Sequence, residues 1–157
     1  MIIVNNMDIL SSNIKPSLTI FCSLFKGGKF IEGYMEDILR QSIFKEVTFH
    51  ILDCNSPDNE SEVIQRYLGY SNIIYERLDE DPGLYPAWNV CVKKATTDLI
   101  GNWNVDDRKS PWSLEVMRDC LSLNSDIDLV YGNTIVIRVC ILPFVCWSPY
   151  KEYRPLL

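Results

Sequence analysis

Short apolar runs that alternate with amphipathic stretches constrain the fold of this chain more than any other feature. The runs Leu18–Leu24 and Val47–Asp53 are rich in β-branched and aromatic residues, which is typical of buried strands. Further strands are predicted over residues 72–76, 99–105, 127–131 and 134–142, and helices over residues 30–41, 56–67, 86–95 and 110–123. This order predicts an α/β fold in which a mainly parallel sheet carries helices on both faces.

Chain length and charge limit the classes of function. A chain of 157 residues suits one domain, and its net charge of −6 argues against binding a nucleic-acid backbone, which needs a basic surface. No segment approaches the ~20 uninterrupted apolar residues of a transmembrane helix, and the N-terminus lacks the pattern of a signal peptide. Together with six cysteines that form no Cys-x-x-Cys pair, these features predict a cytoplasmic protein with reduced thiols.

The segment at the end of the predicted strand 99–105 carries the strongest sign of chemistry. It reads Asn-Trp-Asn-Val-Asp-Asp and puts Asp106 and Asp107 at the carboxyl end of a strand, where ligands of open α/β sheets gather. Carboxylate oxygens suit hard cations such as Mg²⁺ and Mn²⁺. One interpretation is therefore a cation site at this pair of carboxylates. The other is a turn that caps the helix beginning at Ser110 and Pro111.

Four other polar residues each allow two readings. Asp53 ends the second strand and either accepts hydrogen bonds from a nucleobase or ribose hydroxyl or caps the next helix. Lys26 and Lys29 lie in a loop without a Gly-x-Gly-x-x-Gly or Gly-Lys-Ser/Thr motif, which removes the main evidence for a dinucleotide-binding dehydrogenase or a P-loop NTPase. They are either phosphate contacts or, more commonly, solvated lysines. His50 lies within a strand and is interpreted as a packed core histidine rather than a catalytic one.

Four sequence blocks together resemble the family 2 glycosyltransferases, the inverting, nucleotide-sugar-dependent class with a GT-A fold. The resemblance spans about residues 17–135. Its most specific block, residues 81–89 (Asp-Pro-Gly-Leu-Tyr-Pro-Ala-Trp-Asn), is similar to the Asp-x-Gly-Ile-Tyr-x-Ala-x-Asn segment that many of these enzymes carry before their metal motif. The other blocks are Leu18–Leu24, Gln41 with Val47–Asp53 and residues 55–58, and residues 99–107.

The resemblance implies a donor pocket and a metal site. Asp53 would contact the base or ribose of the donor. Asp81 and Gly83 would shape the donor pocket, and Asn89 would lie beside it on the following helix. The segment from Asn104 to Asp106 takes the place of the Asp-x-Asp motif, so Asp106 would ligate Mn²⁺ or Mg²⁺ directly and Asn104 would assist through its carbonyl. The ion would bridge the two phosphates of a nucleotide-diphosphate sugar and offset the charge of the leaving nucleotide.

The chain departs from the family pattern at three points. Asn104 replaces an aspartate, which should lower metal affinity, and Trp88 stands where Arg or Met is common. The family's general base lies beyond the metal motif, but Glu152 is the only acid after Asp128. We therefore expect an N-terminal extension over residues 1–16, the nucleotide-sugar-binding domain over residues 17–135, and an apolar tail over residues 136–157 from a truncated acceptor half. Such a tail would dock against the missing half or a partner chain.

The resulting hypothesis is a glycosyltransferase domain that moves a sugar, with inversion, from a nucleotide-diphosphate donor to a hydroxyl of a glycan, lipid or protein. Three alternatives stay open at this point. The first is a non-catalytic nucleotide-sugar-binding remnant or subunit without the catalytic base. The second is a nucleotidyltransferase with a related α/β core, and the third is a plain α/β domain in which the acidic turns only cap helices.

Overall fold

The computed structural model describes residues 1–5 and 15–133. In chain order the strands are β1 (Ile2–Val4), β2 (Leu18–Leu24), β3 (Val47–Asp53), β4 (Ile73–Arg77), β5 (Leu99–Asn102) and β6 (Leu129–Val130). The helices are α1 (Ile31–Leu39), α2 (Glu60–Gln65), α3 (Leu84–Lys94) and α4 (Ser113–Leu123), with a 3-10 helix at Phe44–Glu46. The predicted strand 134–142 and the predicted tail lie outside the described residues.

The six strands form one sheet in the order β4-β3-β2-β5-β1-β6. Strands β4, β3, β2 and β5 are parallel to one another, and β1 is antiparallel to both β5 and β6. The predicted α/β class with a mainly parallel sheet is therefore confirmed. Parallel pairing also brings the carboxyl ends of β2, β3 and β5 to one edge of the sheet, which is where ligands bind in such folds.

Helices cover both faces of the sheet, as the sequence predicts. Alternate residues of a strand point to opposite faces. Ile20 and Cys22 of β2 therefore belong to the core that includes residues of α1, α2 and α4, whereas Phe21 belongs to the core that includes residues of α3. The larger core includes Tyr34 and Trp103, whose rings meet edge to face at a centroid distance of 5.0 Å. The described cysteines are free thiols, and burial raises the pKa of the Cys22 thiol to about 12.

Three of the differences from the predicted element boundaries have identifiable physical reasons. Residues 1–16, expected to be an extension, include the strand β1, whose residue Ile2 is buried and pairs with Gly101. Strand β5 ends at Asn102 rather than at residue 105, because the following residues form a turn. Helix α2 begins at Glu60 rather than at residue 56, because Ser56 bonds to other loops.

His50 makes a buried polar contact away from the carboxyl edge of the sheet. Its Nε2 lies 3.4 Å from a carboxylate oxygen of Glu76, which in turn pairs with Lys94. Burial lowers the pKa of His50, and the negative charge of Glu76 opposes this shift only in part. The interpretation of His50 as a core histidine agrees with this environment.

This lowered pKa predicts a pH-dependent stability. The unfolded chain binds a proton at His50 near its ordinary pKa of 6.5, before the folded chain does, so stability is lost as pH falls below that value. Between about pH 7 and about pH 5.5 we expect a loss of up to about 1 kcal/mol. Urea unfolding at both pH values, for the native chain and for His50→Gln, measures it. An equal pH dependence in the variant would contradict this assignment.

Candidate functional site

An open cleft of about 340 Å³ lies at the carboxyl ends of β2 and β5, beside the first turns of α3. Its volume is in the range of small-molecule sites, and its position matches the usual ligand position in α/β sheets. Among the described residues, the charged groups that line it are Lys26 and Asp106. The full lining is Ser23, Phe25, Lys26, Phe30, Leu84, Trp88, Asn104, Val105 and Asp106.

The acidic turn, residues 104–107, follows β5 directly and is fixed by backbone hydrogen bonds. The N–H of Asp107 donates to the carbonyl of Asn104 at 3.1 Å, and the indole N–H of buried Trp103 donates to the carbonyl of Asp107 at 2.9 Å. In this turn Asp106 is exposed and Asn104 is half-buried, and both line the cleft. Their side-chain oxygens are therefore available to a ligand. Asp107 is exposed but does not line the cleft.

The residues after the acidic turn are tied to α1 by an ion pair that we call the Asp37–Arg108 clamp. The guanidinium of Arg108 donates to the two oxygens of Asp37 at 2.6 and 2.7 Å, and the backbone N–H of Lys109 adds a third bond at 3.1 Å. Gly33 leaves room for this pair, because a Cβ there would lie 2.5 Å from Nη1 of Arg108. The bonds to Asp37 raise the pKa of Arg108. The clamp therefore holds the residues that directly follow the acidic turn in the sequence.

The loop after β2, residues 25–28, contributes Phe25 and Lys26 to the cleft lining and is held by two buried side chains, Ser56 and Glu60. The N–H of Lys26 donates to Oγ of Ser56 at 2.7 Å, and the N–H of Gly27 donates to Oε1 of Glu60 at 2.6 Å. The Ser56 hydroxyl donates to that same Glu60 oxygen at 2.6 Å. Gly27 packs tightly here, because an added Cβ would lie 2.7 Å from Cδ1 of Leu24 and 3.0 Å from Cγ1 of Val105 in the acidic turn.

Asp53 ends β3 at the same edge of the sheet but is completely buried. One carboxylate oxygen accepts the N–H of Ser56 at 2.7 Å, and the other accepts the Tyr75 hydroxyl at 2.5 Å and Arg77 at 2.6 Å. Arg77 also donates to the side chain of Asn55 and to the carbonyl of Ser56. In this arrangement Asp53 organises the β3 loop, and a direct contact with a base would need an exchange of one of these bonds.

The other predicted pocket residues lie around the start of α3. Oδ1 of Asp81 accepts the N–H of Gly83 at 2.9 Å, and Gly83 has φ +84°, a conformation that favours glycine. Burial, followed by the negative charges of Asp81 and Asp53, raises the pKa of Cys54 to about 11. Asn89 is exposed on α3, one residue after Trp88. None of Asp81, Gly83 and Asn89 lines the cleft itself.

Sequence analysis did not select several residues that line the cleft. Ser23 and Phe25 belong to the end of β2 and its loop, and Leu84 begins α3. The indole N–H of Trp88 donates to the Ser23 hydroxyl at 3.0 Å, which joins α3 to β2 across the cleft. Their position after a predicted strand could have identified some of these residues, because every residue directly after a parallel strand lies at the carboxyl edge of the sheet.

Two findings concern what the described residues do not contain. Residues 1–5 and 15–133 hold no group of three or more His, Cys, Asp or Glu side chains arranged to hold a metal ion. The helices in the same ranges are all too short or too polar to cross a bilayer. A metal bound at the acidic turn would therefore depend on few protein ligands.

Two solved structures have a similar fold at low sequence identity. S. aureus TarS residues 1–349, in complex with UDP-GlcNAc, is similar at a TM-score of 0.64 and 17% identity, over 68% of this chain and 31% of that chain. The mannosyltransferase PcManGT from Pyrobaculum calidifontis, in complex with GDP-Man and Mn²⁺, is similar at a TM-score of 0.57 and 18% identity, over 70% of this chain and 31% of that chain. This chain thus spans about a third of their length, and the likeness confirms the predicted GT-A fold.

The sequence itself matches a family model. The model described as glycosyl transferase family 2 matches residues 19–141, which is most of the chain and includes the whole carboxyl edge of the sheet. No curated protein sequence matches the chain. Because the family model extends over β2 to β6 and the fold is shared with solved glycosyltransferases, the chain belongs to glycosyl transferase family 2.

Proposed function

We propose that this chain binds a nucleotide-diphosphate sugar in the cleft and serves as the donor-binding part of an inverting glycosyltransferase. The observation that carries the proposal is the acidic turn, because Asn104 and Asp106 line a cleft at the carboxyl edge of a family 2 domain. The similar structures of S. aureus TarS and PcManGT hold UDP-GlcNAc and GDP-Man. The acceptor would be a hydroxyl of a glycan, lipid or protein, and we propose a cytoplasmic location.

The donor set of the acidic turn fits a divalent cation. Asp106 offers an exposed carboxylate and Asn104 a half-buried amide carbonyl, and hard oxygen ligands of this kind suit Mn²⁺ or Mg²⁺. Such ions often bind through one or two protein ligands together with substrate phosphates, so a two-residue site is sufficient. When bound, the cation would supply Lewis-acid stabilisation of the leaving diphosphate.

The residues of the chain itself would bind and orient the donor. Asp106 and Asn104 would hold the cation on the diphosphate side, while the rings of Trp88 and Phe25 offer apolar surfaces on which a base or sugar can stack. The Asp37–Arg108 clamp and the bond from Trp103 would keep the acidic turn in one geometry. We keep the base or ribose contact of Asp53 as a proposal, in which the donor would replace one of its present partners.

Asp81, Gly83 and Asn89 are proposed to shape the donor pocket from the start of α3. Gly83 is the N-cap residue of α3. Because glycine has no side chain, Gly83 offers no side-chain acceptor to the first backbone N–H groups of the helix. The positive end of a helix favours negative charge, which suits a diphosphate nearby. Asp81 would act indirectly, because its carboxylate fixes the N–H of Gly83.

Asp106→Ala is expected to weaken metal-dependent nucleotide binding by at least about tenfold, since it removes the charged ligand of the proposed site. Isothermal calorimetry with UDP and GDP, each with Mn²⁺ and with EDTA, measures this. The matched control is Asp107→Ala, which makes the same change of charge one residue further along but outside the cleft. An equal loss of nucleotide affinity in both variants would mean that the change in net charge, and not a ligand role of Asp106, causes the effect.

One observation favours a second candidate function, donor binding without transfer by this chain. Among the described residues that line the cleft, Asp106 is the only carboxylate, so the cleft offers no separate general base there. Glu152, the acid after Asp128, lies outside the described residues. A sugar-release assay with UDP-GlcNAc or GDP-Man and Mn²⁺ separates the two functions. Binding of a nucleoside triphosphate with release of pyrophosphate would instead favour the nucleotidyltransferase alternative.

A further inference from the structure

Lys26 is a cation in the cleft that the family motifs do not account for. It lies directly after β2 in the loop of residues 25–28 and lines the cleft together with Asn104 and Asp106. Its ammonium lies 4.9 Å from the ring centroid of Phe25. Within the described part of the chain, Lys26 takes part in none of the ion pairs, which leaves its charge available to an anion.

The backbone of Lys26 is held in an unusual conformation. Its φ of +53° is uncommon for a residue other than glycine, and such conformations persist where the surroundings fix them. Here the fixing groups are buried: the Lys26 N–H bonds to Ser56, and the next N–H bonds to Glu60. A freely solvated lysine does not need a backbone that is fixed by buried hydrogen bonds. A lysine that binds a ligand in the cleft does, because its Cα must stay at the cleft wall.

The charge balance of the cleft gives Lys26 a role. Asn104 is neutral, so the charged side chains in the described lining are one carboxylate, Asp106, and one ammonium, Lys26. A diphosphate that approaches through this cleft in a chain of net charge −6 needs local positive charge. Lysine binds phosphate as a point charge that is independent of any metal.

We infer that Lys26 binds the diphosphate of the donor directly, so that donor binding persists in part without the divalent cation. The inference rests on the proposed function, because it assumes that the cleft takes a nucleoside diphosphate. It also gives a reason why a weakened metal motif with Asn104 still suits a donor site: the lysine supplies charge that the cation would otherwise supply alone.

The test is calorimetric binding of UDP, GDP and inorganic pyrophosphate, each with Mn²⁺ and with EDTA, to the native chain and three variants. Lys26→Met removes the charge but keeps an unbranched side chain, so the backbone conformation has the same cost. Lys26→Arg keeps the charge, and Lys29→Met removes a neighbouring exposed lysine that does not line the cleft. Thermal unfolding of every variant checks that each is folded.

The expected result is that the native chain retains measurable binding in EDTA and that Lys26→Met weakens it about tenfold. Lys26→Arg and Lys29→Met should bind within about twofold of the native chain. If Lys26→Met binds all three ligands in EDTA as tightly as the native chain, the inference is overturned while the proposed function stands. If pyrophosphate binding depends on Lys26 but neither nucleotide binds, the anion contact is upheld and the proposed function fails.

Discussion

Replacing Asp53 by alanine is expected to lower the free energy of unfolding by about 3 kcal/mol, because the change leaves buried donors without an acceptor. Asp53 is completely buried and accepts from the backbone of Ser56, the Tyr75 hydroxyl and Arg77. Arg77 is partly exposed and regains some hydration, which keeps the loss below that of a fully buried ion pair. Since domains of this size have about 5–15 kcal/mol of stability in total, the effect is large.

Urea unfolding followed by circular dichroism measures the effect of Asp53→Ala. The matched control is Asp79→Ala, which removes an exposed carboxylate shortly after β4 and should change stability by less than about 0.5 kcal/mol. A variant Asp53→Ala that is as stable as the control but has lost nucleotide binding would show that the carboxylate serves the donor and not the fold. The opposite result, loss of stability with nucleotide affinity kept in the folded fraction, would assign Asp53 to the fold.

Asp37→Ala is expected to destabilise the chain by about 2 kcal/mol and also to weaken metal-dependent nucleotide binding. The change removes the acceptor of three hydrogen bonds, two from Arg108 and one from the backbone of Lys109. Without the clamp the acidic turn keeps the bonds of Asp107 and Trp103 on the β5 side, so we expect the side chains of Asn104 and Asp106 to be held less firmly. A ligand set that is misplaced in this way binds a cation less tightly.

The control for Asp37→Ala is Glu36→Ala on the same helix. Glu36 is exposed, and within residues 1–5 and 15–133 its ion pair is with Arg40 at 3.4 Å, so its loss should cost less than about 0.5 kcal/mol. Unfolding by urea and nucleotide binding with Mn²⁺ and with EDTA are measured on both variants. The assignment predicts that Asp37→Ala loses affinity with Mn²⁺ and keeps it in EDTA. An equal loss in both conditions would mean that the clamp supports the whole cleft rather than the acidic turn.

The strands of the parallel sheet could be predicted from sequence because each is a short apolar run with a clear boundary. The bounds of β2 and β3 agree with the prediction, and β4 differs by one residue at each end. Strand β1 was missed because its three residues, Ile2–Val4, carry no alternating pattern or turn signal. Its place is set by pairing with Gly101 and Val130, which lie far away in the sequence.

The candidate site was predictable in position but not in its bonding. Strand ends locate Asp53, Lys26 and Asp106 at one edge, because parallel strands share their carboxyl edge. That Asp53 is already bonded to Arg77 follows from the register of β3 and β4, in which the two residues are opposite one another. Register of this kind depends on tertiary packing and is not visible in the sequence of either strand.

The position of β1 between β5 and β6 has a consequence for how the chain reaches its native state. Ile2 pairs with Gly101 on one side and with Val130 on the other, so β1, which precedes the other described strands in the sequence, finds its partners only after nearly all the described chain has been made. The parallel strands β2 to β4 can associate earlier, since they are closer in sequence. Closing so long a loop is slow. Joining of β1 is therefore a late event in folding, and until then the free edge of β5 is open to pairing with another chain.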